Sequence, residues 1–209
     1  MANTLASDSK TATKGGAMTS TETGTPTGTE SLNTTNLSGE RADLLDSLAK
    51  SRFFLKFTTR DLTDEQAAQR PTVSALSLGG LIKHVADSEA AWARFIEGGA
   101  SAMNDNGKDW SEWTEDDYAE REKTFQLQPG ETLAGALAHY DEVARHTDEL
   151  IASLPDLNAS QPLPAAPWFE PGASWSARRA LVHIIAETTQ HSGHADIIRE
   201  ALDGAKSMG

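Results

Sequence analysis

The stretch ALVHIIAETTQHSGHAD, residues 180–196, sets three histidines and a glutamate into what otherwise reads as a buried apolar helix. Half of the chain's six histidines stand here, as His183, His191 and His194. Imidazoles and a carboxylate among Leu181, Val182, Ile184 and Ile185 are costly to bury unless something satisfies them. A helix advances ~100° per residue, so with His183 at zero, Glu187 falls at ~40°, His191 at ~80° and His194 at ~20°. The four share one face. Glu187 and His191 are spaced i, i+4, so both heads reach a common point. An inward Glu-x-x-x-His pair is half of a metal site; a helix that is simply wet on that side is the rival reading.

A third ligand has to come from elsewhere, and GGLIKHVADSEAAW offers His84. It follows Leu81 and Ile82 and precedes Val85, which puts it beside an apolar face. A core-edge histidine satisfied by a backbone carbonyl, Asp87 or Glu89 is the equal alternative. His139 and His146 share a face with Glu142 among the charges of AHYDEVARHTDE, read as a solvated surface and given no role.

Four segments with helical periodicity must position these groups. The first runs from about Gly39 to Thr59, with Leu44, Leu45, Leu48, Phe53, Phe54 and Leu55 as its apolar face. The second starts at the N-cap Ser77 and stops at Gly98-Gly99. The third spans about Thr132 to Leu154, with Leu133, Leu137, Tyr140, Leu150, Ile151 and Leu154 inward. The fourth opens near Ser174 or Ser176 and closes at Gly204. No useful strand-like alternation appears, so the fold expected is all-α, a four-helix bundle over residues 37–209. Residues 1–36 have almost nothing to bury and read as a disordered Thr/Ser/Gly-rich tail, within which Met18 is an alternative start.

Two connections are unusual. The acidic one, residues 101–131, carries Trp110, Trp113, Tyr118 and Phe125 and has room for a short helix. Connections this long are more often functional than idle. The other, QPLPAAPWFEPGASW, is stiffened by proline, with Trp168, Phe169 and Trp175 as packing anchors.

The net charge is −13, from 31 acids against 18 bases. That argues against a nucleic-acid footprint, which needs a clustered basic face, and against anionic membrane surfaces. There is no cysteine, which excludes disulfides, thiolate zinc sites and a cysteine nucleophile. With no apolar run of membrane length and no hydrophobic signal core, the expected location is the cytoplasm.

LTDEQAAQRPTVSALSLGGLIKHVADSEAAW together with ALVHIIAETTQHSGHADIIREALDG resembles the DinB-like superfamily, in its actinobacterial branch of mycothiol-dependent transferases and maleylpyruvate isomerases. The likeness covers residues 40–98 and 174–204, and its most specific part is the ending Gly193 to Glu200. It implies a four-helix bundle holding a divalent metal on His84, Glu187 and His191. His194 is then a fourth ligand or stands behind the ligands, and His183 is supporting or structural. Where relatives often carry Arg-Trp, this chain has Arg178-Arg179.

Three ligands leave an open coordination position, the mark of a catalytic site. Zinc suits the donors best, with Ni, Mn or Fe as alternatives. Such an ion lowers the pKa of a bound thiol, which without a cysteine in the chain has to be a small-molecule cosubstrate. The resemblance implies mycothiol or a similar thiol, for which Asp87, Asp196 and Arg199 are candidate contacts; Asp196 and Arg199 are also an i, i+3 surface pair. The leading expectation is an S-transferase acting on a small electrophile. Its rivals are a metal-dependent hydrolase with Glu89 or His194 as base, and a non-catalytic metal-binding stress protein. By analogy a homodimer is plausible, with Trp92 or Phe95 at its interface.

Overall fold

The four amphipathic segments form helices where their caps place them. In a computed structural model the structure describes residue 37, residues 39–103 and residues 112–207. The expected tail and Trp110 lie outside the described residues. Among these, the long helices are α1 (Glu40–Phe57), α3 (Leu78–Gly98), α6 (Leu133–Ser153) and α7 (Ala177–Asp203). The Ser77 hydroxyl accepts from Gly80 N at 3.2 Å, Thr132 from Gly135 N at 3.0 Å and Ser176 from Arg179 N at 3.2 Å. Each satisfies an N–H the first helical turn leaves open. Gly99 (φ 77°) and Gly204 (φ 80°) end α3 and α7 in the left-handed region. Short helices α2 (Asp64–Ala68), α4 (Ala100–Met103) and α5 (Glu115–Thr124) fill the connections. Thr63 and Gln66 start α2, and Thr114 and Asp117 start α5, as reciprocal capping boxes.

α1 packs on α7 and α6, and α3 packs on α6 and α7, which closes a four-helix bundle. One unanticipated feature is a small antiparallel hairpin, β1 (Ser160–Pro162) with β2 (Ser174–Ser176), just before α7. Three-residue strands are too short to leave an alternating pattern.

The core comes in two halves. Leu44, Leu48, Phe95, Ile151, Leu181 and Ile184 fill one end; Leu55, Leu81, Val85, Tyr140, Ala195 and Ile198 fill the other. Between them each long helix contributes a buried polar residue: Arg52, Glu89, Thr147 and Thr188. Arg52 donates both Nε (3.1 Å) and Nη2 to Glu89, and Nη1 to Asp148 at 2.8 Å. Burial opposes the charge on Arg52, but Glu89 and then Asp148 hold its pKa above the ordinary value.

Two expectations are corrected here. Phe53, assigned to the apolar face of the first helix, is 57% exposed, and its neighbour Arg52 points inward instead. Trp92 and Phe95, named as dimer contacts, are 7% and 0% exposed and belong to the core of the chain itself.

The glycine pair opening α3 admits another segment. At Gly80 an added Cβ would sit 1.7 Å from Phe125 O, and at Gly79 2.5 Å from Leu127 Cδ1. The backbone after α5 therefore crosses α3 with nothing between. Gly80→Ala cannot fit without displacing that crossing, at a cost of about 3 kcal/mol, well above the ~1 kcal/mol of helix propensity gained. Urea denaturation reads this directly, and an unshifted midpoint would mean the crossing is not made.

Candidate metal centre

The crossing at Gly80 has a direct consequence for the site. It brings the Phe125 ring over His84 at 4.1 Å, tilted 26°, so the imidazole is stacked on one face. His84 is buried on α3, and its Nε2 faces Oε1 of Glu187 on α7 at 3.5 Å. One turn further along α7, His191 Nε2 approaches the same oxygen at 3.3 Å. The two imidazoles meet edge to face at 4.9 Å. Among the described residues one group of donors converges closely enough to clasp an ion: His84, Glu187 and His191, whose ligand atoms lie within 4.8 Å of one another.

These distances test whether a metal fits. Ligands ~2.1 Å from a tetrahedral zinc are separated by about 3.4 Å. The two N···O separations, 3.3 and 3.5 Å, bracket that edge. They are longer than the ~2.7–2.9 Å of a charge-assisted hydrogen bond. The donor set, two imidazoles and a carboxylate, suits zinc. The imidazoles of His191 and then His84 beside it hold the Glu187 carboxyl far below the usual carboxylate range, so the group is anionic throughout the neutral region.

His194 stands apart from the three. Its Nδ1 faces Nδ1 of His191 at 3.3 Å, the ring nitrogen that does not face Glu187. This contact fixes the His191 ring, the arrangement by which protein metal sites orient an imidazole ligand. Of the proposed thiol contacts, only Asp87 reaches the neighbouring cavity. Its Oδ1 lies 3.4 Å from His139 Nε2, and burial pushes its carboxyl above the ordinary value against the pull of His139 and Lys83. Arg199 donates to Thr58 O (2.8 Å), Arg60 O (2.7 Å) and Asp203 (2.9 Å), tying α7 to the end of α1. Asp196 accepts from Ser207 N at 2.7 Å. Both are engaged in holding the C-terminal turns. Glu89, the candidate hydrolytic base, has both oxygens on Arg52 and a fully buried side chain, and it takes no part in lining the cavity beside His84 and Glu187.

A cavity of about 830 Å³ opens beside His84 and Glu187. α5 contributes Asp117, Glu120 and Arg121 to it, and the hairpin loop contributes Trp168 and Phe169. Burial lowers the Arg121 pKa, and the charge of Glu187 opposes that. His183 is also on its wall, standing edge-on to Trp92 (4.8 Å) and Trp175 (5.2 Å). Burial pushes its imidazole below the ordinary value, Glu187 only partly offsetting this, so His183 is neutral at pH 7. Sequence reasoning assigned none of Arg121, Asp117, Glu120, His139 or Trp168 to the site. The length of the 101–131 connection and its aromatics were the available signal.

The comparisons with known proteins bear on the family and the fold. The profile of a family described as mycothiol S-transferase matches residues 43–204. Among solved structures, a conserved protein from Enterococcus faecalis shares the fold at TM-score 0.58 and 14% identity, over 81% of this chain and 100% of that one. No curated protein matches the chain.

Proposed function

The chain belongs to the mycothiol S-transferase family, and on that premise we propose that it is a metal-dependent transferase coupling a low-molecular-weight thiol, mycothiol or a close analogue, to a small electrophile. The observation that carries this is the pair of 3.3 and 3.5 Å separations on Glu187 Oε1 at the edge of an 830 Å³ cavity. His84, Glu187 and His191 would hold the ion, and zinc suits them best. A divalent ion so held lowers the pKa of a thiol and fixes its sulfur.

The chain's own residues do the rest. Phe125 covers one face of His84 and keeps water from it. His194 holds the ring of His191 through its far nitrogen. Asp87 and His139, adjacent at the cavity wall, present an acceptor and a donor suited to the hydroxyl and amide groups of a sugar-bearing thiol. His183 stands on the same wall, edge-on to Trp92 and Trp175. The chain has no cysteine, so the sulfur is the cosubstrate's. We place the reaction in the cytoplasm, where such thiols are kept reduced. No helix among the described residues is long and apolar enough to cross a membrane.

The test is conjugation of mycothiol to 1-chloro-2,4-dinitrobenzene by zinc-loaded protein. Turnover above the uncatalysed rate is expected, abolished by a chelator and restored by zinc. No acceleration across a panel of thiols and electrophiles by fully loaded protein would overturn the transferase reading.

A further inference from the structure

One wall of the cavity is built almost wholly of aromatic rings. Trp92 stacks on Trp175 at 4.8 Å and 18°, and the edge of Phe169 meets Trp175 at 5.5 Å and Trp92 at 6.5 Å. Trp168 continues the wall outward, 6.1 Å from Phe169, and is 58% exposed although it lines the cavity. The loop carrying these two rings is set before any ligand arrives. Four prolines lie between Gln161 and Trp175, and the loop closes on itself through Leu163 N to Ala173 O (2.9 Å), Phe169 N to Ala166 O (3.1 Å) and Ala173 N to Glu170 O (3.0 Å). A preformed wall binds without the entropy of ordering it.

The charges of the cavity point the same way. A divalent ion held by Glu187 would have its remaining charge cancelled by an anionic thiol. What remains is Asp87, Asp117 and Glu120 against Arg94 and Arg121. Arg94 spends its Nε and Nη2 on Ala102 O and Met103 O, both at 3.0 Å. Among the described residues the lining thus lacks the convergent cations that a carboxylate or phosphate substrate needs.

We propose that the electrophile taken by this site is an uncharged, flat aromatic compound seated against the Trp168–Phe169–Trp92 wall. Its chemistry rests on the transferase reading: the thiol S–H bond breaks and its proton passes to water. The sulfur bonds to the electrophilic ring or benzylic carbon, and a halide leaves with its electron pair. Aromatic stacking contributes about 0.5–1.5 kcal/mol per ring pair beyond burial.

Equilibrium dialysis of the full chain with 4-nitroanisole and 4-nitrobenzoate separates ring recognition from charge. It is run metal-free, where neither a failed metal site nor a failed transferase assay affects the outcome, and again with zinc and 2-mercaptoethanol. The neutral nitroarene is expected to bind at least tenfold more tightly than the anion in both. Trp168→Ala is expected to weaken nitroanisole at least fivefold without moving the thermal midpoint, since Trp168 lies outside the core. Equal or reversed affinities, or a Trp168→Ala variant within twofold of wild type, would overturn the proposal. Ring binding as expected with no conjugation of any thiol would sustain it and sink the transferase instead.

Discussion

Replacing His191 by alanine is expected to abolish stoichiometric zinc binding while leaving the bundle folded. The site has three donors and two helices to bring them together. Removing one leaves a two-point contact with no reason to exclude water from the ion. Residues that merely orient a ligand are worth ~10–100-fold in affinity, so loss of a ligand costs more than about 100-fold. His84→Ala and Glu187→Gln should behave alike, the latter because it keeps the shape and removes the charge. His194→Ala should fall in the smaller, orienting range, because its Nδ1 meets the side of His191 turned away from Glu187. Metal content after dialysis against a defined zinc concentration gives the affinities. Thermal unfolding gives an independent reading: at a free zinc level of ~100 Kd, the ion adds about 2.7 kcal/mol to the wild type and nothing measurable to His191→Ala. Retention of one zinc per chain by all three ligand variants would place the ion elsewhere. Binding should also weaken as the solution is acidified, since protons compete for the imidazole nitrogens.

The Glu187–His191 pair was legible in the sequence because helical geometry is local. Glu187 and His191 are one turn apart on the same helix, and nothing distant is needed to align them. His84 was open between two readings, and it is the packing of α3 on α7 that brings it opposite Glu187. The caps Ser77, Thr132 and Ser176 and the terminal Gly204 were legible for the same local reason. Arg52 and Phe53 show where that stops. Adjacent residues on a helix differ by ~100°, and an apolar run gives no sign of which of two neighbours the other helices will meet. The segment ending at Phe125 shows a second limit: that it crosses α3 depends on Gly79 and Gly80, forty-odd residues earlier, being too small to refuse it. The cavity wall has the same origin. Trp168 and Phe169 read as packing anchors from sequence, and part of that holds, because Phe169 packs on Trp92 and Trp175. The exposure of Trp168 depends on the hairpin, which three-residue strands do not announce.

Breaking the Arg52–Glu89 pair is expected to be the most destabilising change in the bundle. Arg52→Ala leaves Glu89 as a fully buried carboxylate without its cation; Glu89→Ala leaves the guanidinium with Asp148. Loss of one partner in such a pair costs about 3–5 kcal/mol, a large share of a domain's ~5–15 kcal/mol. The double variant Arg52→Met with Glu89→Leu should recover most of this, because apolar groups of similar volume remove the charge and its desolvation together. Urea unfolding of the two single variants and the double completes the cycle, and a large favourable coupling is expected. If Glu89→Ala unfolds within about 1 kcal/mol of wild type, as exposed ion pairs do, water must reach the pair and the buried belt does not exist. The belt also bears on the metal centre. Glu89 follows His84 on α3, and Thr188, buried in the same layer, adjoins Glu187 on α7. A polar layer that tolerates only one pairing of helices fixes how α3 and α7 slide along each other. That register in turn decides whether His84 and Glu187 stand opposite one another. The apolar double variant should therefore regain stability and yet bind zinc more weakly than wild type.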